Sequence, residues 1–464
     1  MKKKNRNILG ILLFSWSISQ ISGQEIKTIS LAEAIDLGIN NSKNLKIDEA
    51  KIEENTAQLI EAKNRQLPDF KLSGSYLHLF SPTVDLKVNP GSTASGAQNI
   101  KVNNVLYGSA NLTYPIFAGG KIKYGIKSAE YLIEASKLNA ENDKNAIAYN
   151  ISQAYNNLFK ASQTIKVLEE NLNASQKRDE TFLKLENNGL IARNDRLKAQ
   201  LQTSNIELQL LDAHNNYSIA NINMDLLLGL PETTEIKIDE NYIDDLTENQ
   251  PVSYFLNEAF QNRKDLQSVD YQIKAANVVA KAAKAEHLPT VALTGGYVAA
   301  DIPGLVTITN AINIGVGVQY NLDNLWKKNT SLLKAEAREK QLVANGELLN
   351  DQIKLEINRD FQNSNLAKKK IEVYERALEQ ATENYRITKN KFDNGLVNIT
   401  DLLDADASLV GAKVNVINAK ADAALAYKKL LQSSGILFLI CIPFILFVRQ
   451  KKGGETIDLS EALH

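Results

Sequence analysis

The sequence predicts an α+β membrane protein built as an internal duplication. Each copy would give a strand hairpin to a transmembrane β-barrel shared between chains, and a long helical hairpin to an α-barrel beneath it. Three observations predict this: one segment recurs at a fixed offset, four stretches alternate with period two, and two long runs carry no proline.

The duplication is plainest in a short turn. Asn188, Gly189, Leu190, Asp195, Leu197 and Ala199 recur 206 positions later as Asn394, Gly395, Leu396, Asp401, Leu403 and Ala405. The same offset carries Tyr114 onto Tyr320, Ala220 onto Ala426 and Gly229 onto Gly435. Upstream, Leu67-Pro68 matches Leu288-Pro289 at an offset of 221. The first copy therefore holds extra residues between its Leu-Pro and its Tyr. They fall in Ser81–Asn104, a polar stretch rich in Gly, Ser, Asn and Pro, which is the composition of a loop insertion. A fixed period of this kind marks a repeated structural unit. The expected organisation is a first copy over 25–230, a linker over 231–252 and a second copy over 253–437.

Residues 1–24 have the pattern of a secretory signal. Lys2, Lys3, Lys4 and Arg6 form a basic start, Ile8 to Phe14 an apolar core, and Ser19, Ser22 and Gly23 a small-residue cleavage region. The apolar run is too short to span a bilayer.

Each copy opens with helical sequence and then switches to alternation after its Leu-Pro. Phe70, Leu72, Gly74, Tyr76 and His78 alternate with Lys71, Ser73, Ser75 and Leu77. Leu106, Gly108, Ala110, Leu112, Tyr114 and Ile116 alternate with Tyr107, Ser109, Asn111 and Thr113. In the second copy Val291, Leu293, Gly295 and Tyr297 supply one strand. Ile312, Ile314, Val316, Val318, Tyr320 and Leu322 oppose Asn313, Gly315, Gly317, Gln319 and Asn321 in the other. The hairpins are expected over about 69–117 and about 290–323. Segments of this length ending in aromatics fit a barrel wall with lipid on one face and water on the other, although a half-buried strand of a soluble sandwich has the same pattern.

The helices separate the two. No proline lies between Pro115 and Pro231, or between Pro303 and Pro443, and both runs are rich in Ala, Leu, Glu, Lys, Gln and Asn. Lys121 to Glu186 alone would make a helix about 100 Å long. Its counterpart is expected from Trp326 to Phe392. Both stop at the repeated Asn-Gly-Leu, a suitable helix end and turn. Return helices are expected from Asp195 to Leu228 and from Thr400 to Leu431, giving helical hairpins over about 121–228 and about 326–432. A sandwich has no use for such helices, and a coiled-coil rod has none for four amphipathic strands. Four strands cannot close a membrane barrel, which needs about eight or more, so protomers must pool them.

A strand pair and a long helical hairpin with a Gly-Leu-x-x-x-x-Asp tip, all duplicated, resemble the TolC-type outer-membrane efflux protein family. Tyr114-Pro115-Ile116-Phe117-Ala118-Gly119-Gly120 and the two Leu-Pro pairs share in the resemblance, which covers roughly Ile29 to Leu437. It implies a homotrimer of twelve strands and twelve helices in the outer membrane of a Gram-negative bacterium, reaching into the periplasm. It implies a passive exit duct for tripartite efflux or type I secretion, with a periplasmic adaptor (a membrane fusion protein), an inner-membrane RND or ABC pump and outer-membrane lipid as partners. By the same resemblance Asp401 and Asp404 would form the pore constriction, and Gly189, Leu190, Gly395 and Leu396 the adaptor-contacting tips. Spacing i, i+3 puts both carboxylates on one helix face. Asp401 alone would also serve as an acidic residue at a helix start, and the Gly-Leu pairs as turns. The family's type member latches this end with a Tyr and an Arg. Phe392 and Val397 stand at those positions here, so that latch is absent.

Little in the sequence suggests chemistry. His78, His214, His287 and His464 lack metal-ligand spacing, and no phosphate loop or nucleophile motif occurs. An enzyme is not expected, nor a cofactor or metal. With 53 basic against 54 acidic residues, no nucleic-acid partner is expected. The alternative to a duct is a periplasmic coiled-coil structural or secretion-scaffold protein.

The tail, 438–464, is atypical. An apolar run, Ile436 to Val448, meets Arg449-Gln450-Lys451-Lys452. Then Thr456, Ile457, Leu459, Glu461 and Ala462 repeat the register of Thr28, Ile29, Leu31, Glu33 and Ala34. The tail resembles the start of a second such chain joined by a fused reading frame, more than a membrane anchor, for which it is short.

Overall fold

From the amino end, β1 (Ile26–Ile29) leads into α1 (Leu31–Asn41) and α2 (Lys43–Asn64), then β2 (Asp69–His78) and β3 (Asn104–Phe117). Two long helices follow, α3 (Lys121–Asn187) and α4 (Arg193–Leu228). The second half runs β4 (Glu235–Ile238), α5 (Val252–Asn262), α6 (Lys264–Lys284), β5 (Thr290–Ile302), β6 (Val306–Gln319), α7 (Thr330–Asp393) and α8 (Ile399–Ser433). The computed structural model describes residues 26–80, 102–239, 243, 250–303 and 305–437. The signal reading of 1–24, most of the polar loop 81–104, part of the linker 231–252 and the tail 438–464 lie outside the described residues.

Contacts divide the chain into two compact units. One comprises Met1–Asn41, Ile151–Asp244 and Tyr374–Ala421. In it β1 pairs in parallel with β4, and α1 packs on α4. Ile29, Ala34, Ile35, Ile151, Leu158 and Ile236 form its buried apolar centre. Two tyrosines fix the small sheet to the helices: Tyr155 donates to the Ile29 carbonyl at 3.0 Å and Tyr217 to the Ile236 carbonyl at 3.1 Å. Burial pushes the Tyr155 hydroxyl up to about 12, so it stays a donor across the physiological range.

The other unit comprises Ser42–Asn150, Asp245–Val373 and Asp422–His464. It holds the four-stranded sheet, in the order β2-β3-β5-β6, antiparallel throughout. Below the sheet, Arg263 ties helices together. It donates to Asp265 at 2.6 Å, to Glu356 at 2.8 Å and to the Ser433 carbonyl at 3.0 Å. Lys429 also reaches Glu356 at 3.1 Å. Burial alone would raise the Glu356 carboxyl, but the two cations hold it below the usual carboxylate range.

Helix boundaries differ slightly from those the sequence suggests. α4 starts at Arg193 rather than Asp195, and α8 at Ile399 with Asn398 as its cap. α7 starts at Thr330 rather than Trp326, with Asn329 before it, whose Oδ1 accepts from the Leu332 amide at 2.9 Å.

Candidate pore entrance and membrane face

The sheet has two chemically distinct faces, fixed by its register. Ser73 lies opposite Ser109, which lies opposite Val298; Asn111 lies opposite Gly296, which lies opposite Asn313. On this face Ser73 Oγ and Ser109 Oγ are 2.8 Å apart, and Asn111 Nδ2 donates to Ser109 Oγ at 3.2 Å. A side chain at Gly296 would place its Cβ 2.6 Å from Asn313 Oδ1, so the amides crowd in where only glycine fits. The opposite face carries Phe70, Leu72, Leu112, Leu293, Tyr297, Ile312, Ile314 and Val316. It is uncovered: Leu72 is 80% exposed, Ile314 81% and Val316 63%. A contiguous apolar surface of this kind marks a membrane or protein contact. The outer edges of β2 and β6 also lack strand partners among the described residues.

The two turns between long helices share one geometry. Gly189 (φ 70°) and Gly395 (φ 73°) take the left-handed conformation that ends a helix without a Cβ clash. The Gly189 and Leu190 amides donate back to the Glu186 and Leu185 carbonyls, both at 2.9 Å. Gly395 and Leu396 do the same to Phe392 at 2.9 Å and Lys391 at 2.8 Å. In such a cap the residue after the glycine commonly folds back on the helix. Here Leu190 and Leu396 stay 69% and 73% exposed.

Asp401 and Asp404 are both exposed on the first turns of α8. Asp401 already has local work. Its carboxylate accepts from the Asn398 amide at 3.4 Å, while its own amide donates to Asn398 Oδ1 at 3.0 Å, a reciprocal cap. Asp404 projects from the same side one turn on. In the first copy Asp195 pairs with Lys198 at 3.2 Å, so the equivalent carboxylate is neutralised.

Behind the turns the copies diverge. Phe182, Ala199, Ile399, Leu402 and Leu403 are buried together, with the Phe392 ring tilted against Phe182, their centroids 5.6 Å apart. Phe392, at the latch position by the resemblance, thus joins an apolar core. One charge pair is buried beside it. Arg178 of α3 donates to Asp406 of α8 at 2.6 Å. Burial raises the nearby Tyr385 hydroxyl, and Asp406 adds to this. Sequence reading singled out neither Arg178 nor Asp406. They lie 228 positions apart, and only their charge in otherwise apolar-facing positions hinted at a pairing.

A family model described as outer membrane efflux protein matches residues 34–230 and 255–436. The chain is 23% identical over 383 residues to Outer membrane protein TolC of Escherichia coli (strain K12), covering 78% of this chain and 73% of that protein. It is similar in structure to the outer membrane protein VceC of Vibrio cholerae, with a TM-score of 0.70 and 20% identity over 87% of this chain and 96% of that one. The Campylobacter jejuni CmeC outer membrane channel gives a TM-score of 0.70 at 19% identity, over 88% and 86%. At these identities the structural likeness establishes the fold.

Proposed function

The chain belongs to the outer membrane efflux protein family and is an outer-membrane efflux channel, and from that premise we propose that it works as a homotrimeric, passive exit duct. Three copies of the four-stranded sheet give twelve strands, enough to close a transmembrane barrel and remove every open edge. The observation that carries this is the sheet itself, with a bare apolar face and, among the described residues, no strand partner at the outer edges of β2 and β6. Lipid would cover the apolar face, and the Ser, Thr and Asn face would line water.

The helical hairpins would continue the barrel into the periplasm as a tunnel. Leu190 and Leu396 are exposed apolar residues at the two turns, fit to seat against a periplasmic adaptor of the membrane fusion type. An inner-membrane RND or ABC pump would supply cargo and energy, leaving the duct without catalytic work.

Asp401 and Asp404 would form the constriction. Three copies bring six carboxylates to one neck, which favours cations. Multivalent ions would block it, because each neutralises several carboxylates at once. The test is single-channel conductance in a planar bilayer, with divalent or trivalent cations on the periplasmic side. Asp401→Asn with Asp404→Asn should abolish block and weaken cation selectivity, whereas Asp195→Asn, whose carboxylate is already paired, should change little. Unchanged block in the double variant would return both residues to the role of helix-start carboxylates.

A further inference from the structure

Within the unit that carries the four-stranded sheet, α2 runs into β2 and α3 runs out of β3. A polar seam joins these two helices. Asn55 of α2 donates to Ser136 Oγ of α3 at 2.6 Å. Seven residues back along α2 and seven on along α3, about two turns in each case, Asp48 meets Asp143, so the helices run antiparallel. The Asp48 side chain is only 7% exposed. Lys51 donates to its Oδ1 at 2.9 Å. Its Oδ2 is buried with no hydrogen-bond partner among the described residues. Asp143 is half-buried beside it. Two ionised carboxylates only accept, so neither satisfies the other. One proton between them changes this. The O–H of one carboxyl then donates to an oxygen of the other, and a hydrogen bond to a charged acceptor is among the stronger ones.

We propose that Asp48 and Asp143 share one proton, and that the bond it makes ties α2 to α3 and braces the helical roots of the β2–β3 hairpin as pH falls. The influences that favour the proton outweigh those that oppose it. Burial raises the Asp143 carboxyl, and Asp48 raises it further through the hydrogen bond and through its charge. Asn142 and Lys51 favour the ionised form. The Lys51 side chain is 61% exposed, however, and water screens its ammonium. From α6, Lys264 is engaged by Glu141 at 3.6 Å. A carboxyl whose folded value lies above its unfolded one is protonated more readily in the native chain. The tie is therefore fully made below the ordinary Asp value of about 4 and is lost as pH rises through the raised one. The proton belongs to the pair rather than to either residue. The tie is independent of what the duct carries and of how its mouth opens.

Two variants separate a shared proton from simple repulsion between carboxylates. Asp143→Asn keeps the shape and supplies an amide that donates to Asp48 Oδ2 at every pH. Asp143→Ala removes the repulsion but leaves Oδ2 without a donor. The purified full chain and both variants, in detergent, are compared by amide hydrogen exchange across 43–64, with rates expressed as protection so that the intrinsic pH dependence of exchange drops out. In the parent, α2 should be about tenfold better protected at about pH 5 than at about pH 8. Asp143→Asn should hold the higher protection at both values, and Asp143→Ala the lower. The readout is local to α2, so the titration of Asp225 near the end of α4 does not enter it. Protection of α2 that is the same at both pH values in the parent overturns the proposal. So does equal protection of α2 in the two variants, because repulsion alone would then account for the pair. Should Asp143→Ala not assemble, Asp143→Asn still decides: a pH dependence like the parent's refutes the shared proton.

Discussion

Arg196 and Leu402 occupy the same place in the two copies, 206 positions apart, and meet opposite surroundings. Arg196 donates to Asp179 at 3.3 Å and to Glu186 at 3.2 Å. Leu402 is buried in the cluster with Phe182 and Leu403. The positions equivalent to Asp179 and Glu186 are Tyr385 and Phe392, both packed on that cluster. At this position copy one therefore sets ion pairs, where copy two sets an apolar side chain into a cluster that both turns share.

The apolar brace should be the more costly to remove. Phe182→Ala deletes a ring that is almost wholly buried and should destabilise the turn region by about 3–5 kcal/mol. Arg196→Ala removes partly exposed, solvent-screened ion pairs and should cost far less. Amide hydrogen exchange across 178–200 and 385–406 would measure both. Equal protection in the two variants would deny the cluster its role.

The bare face of the sheet should reject charge. Val316→Arg and Leu112→Arg should each cost about 2–4 kcal/mol if they lie near the middle of the bilayer, and the variants should assemble poorly in the outer membrane. Asn313→Ser, on the opposite face, should assemble normally. Normal assembly of both arginine variants would contradict the lipid-facing assignment.

Much of this could be read from sequence, for physical reasons that differ between elements. The faces of β2, β3, β5 and β6 follow from alternation alone, since a strand turns its side chains over every residue. The Gly189 and Gly395 turns were legible because few residues but glycine tolerate their backbone. Other features leave no periodic trace. β1 and β4 are four residues each and pair across more than two hundred positions, too short to alternate visibly. The Arg178–Asp406 pair needs the packing of α3 against α8 before its two charges meet. The cap of α8 lies at Asn398, two residues before Thr400, because Asn398 and Asp401 bond each other's amides reciprocally and so fix the start together.

Stability should also depend on Asp225, which is wholly buried near the end of α4. One oxygen accepts from Asn221 at 2.9 Å, and the other has no hydrogen-bond partner. Burial raises this carboxyl to about 6, with Glu232 adding to the rise. A folded value above the unfolded one means the native chain holds the proton more tightly. The contribution is thus fully present below about pH 4 and is lost as pH rises through about 6. Asp225→Asn cannot ionise, so it should gain on the parent by about 2–3 kcal/mol at neutral pH and lose that advantage in acid. Melting temperature against pH would show it, and parallel curves for parent and variant would refute it.

The exposed turn leucines give a prediction about partners. Leu190→Ser with Leu396→Ser should leave assembly intact, because neither side chain is packed within the chain. Association with a periplasmic adaptor should fall, as read by co-purification after cross-linking in intact cells. Undiminished recovery of the adaptor would show that the turns are not the docking surface.

The central claim is that four strands per chain are completed by other copies, and the mass of the purified particle in detergent tests it most directly. Light scattering corrected for bound detergent should return three chains per particle, with heat converting that species to single chains on a gel. A stable single chain that keeps its full β-sheet signal in detergent would contradict the account.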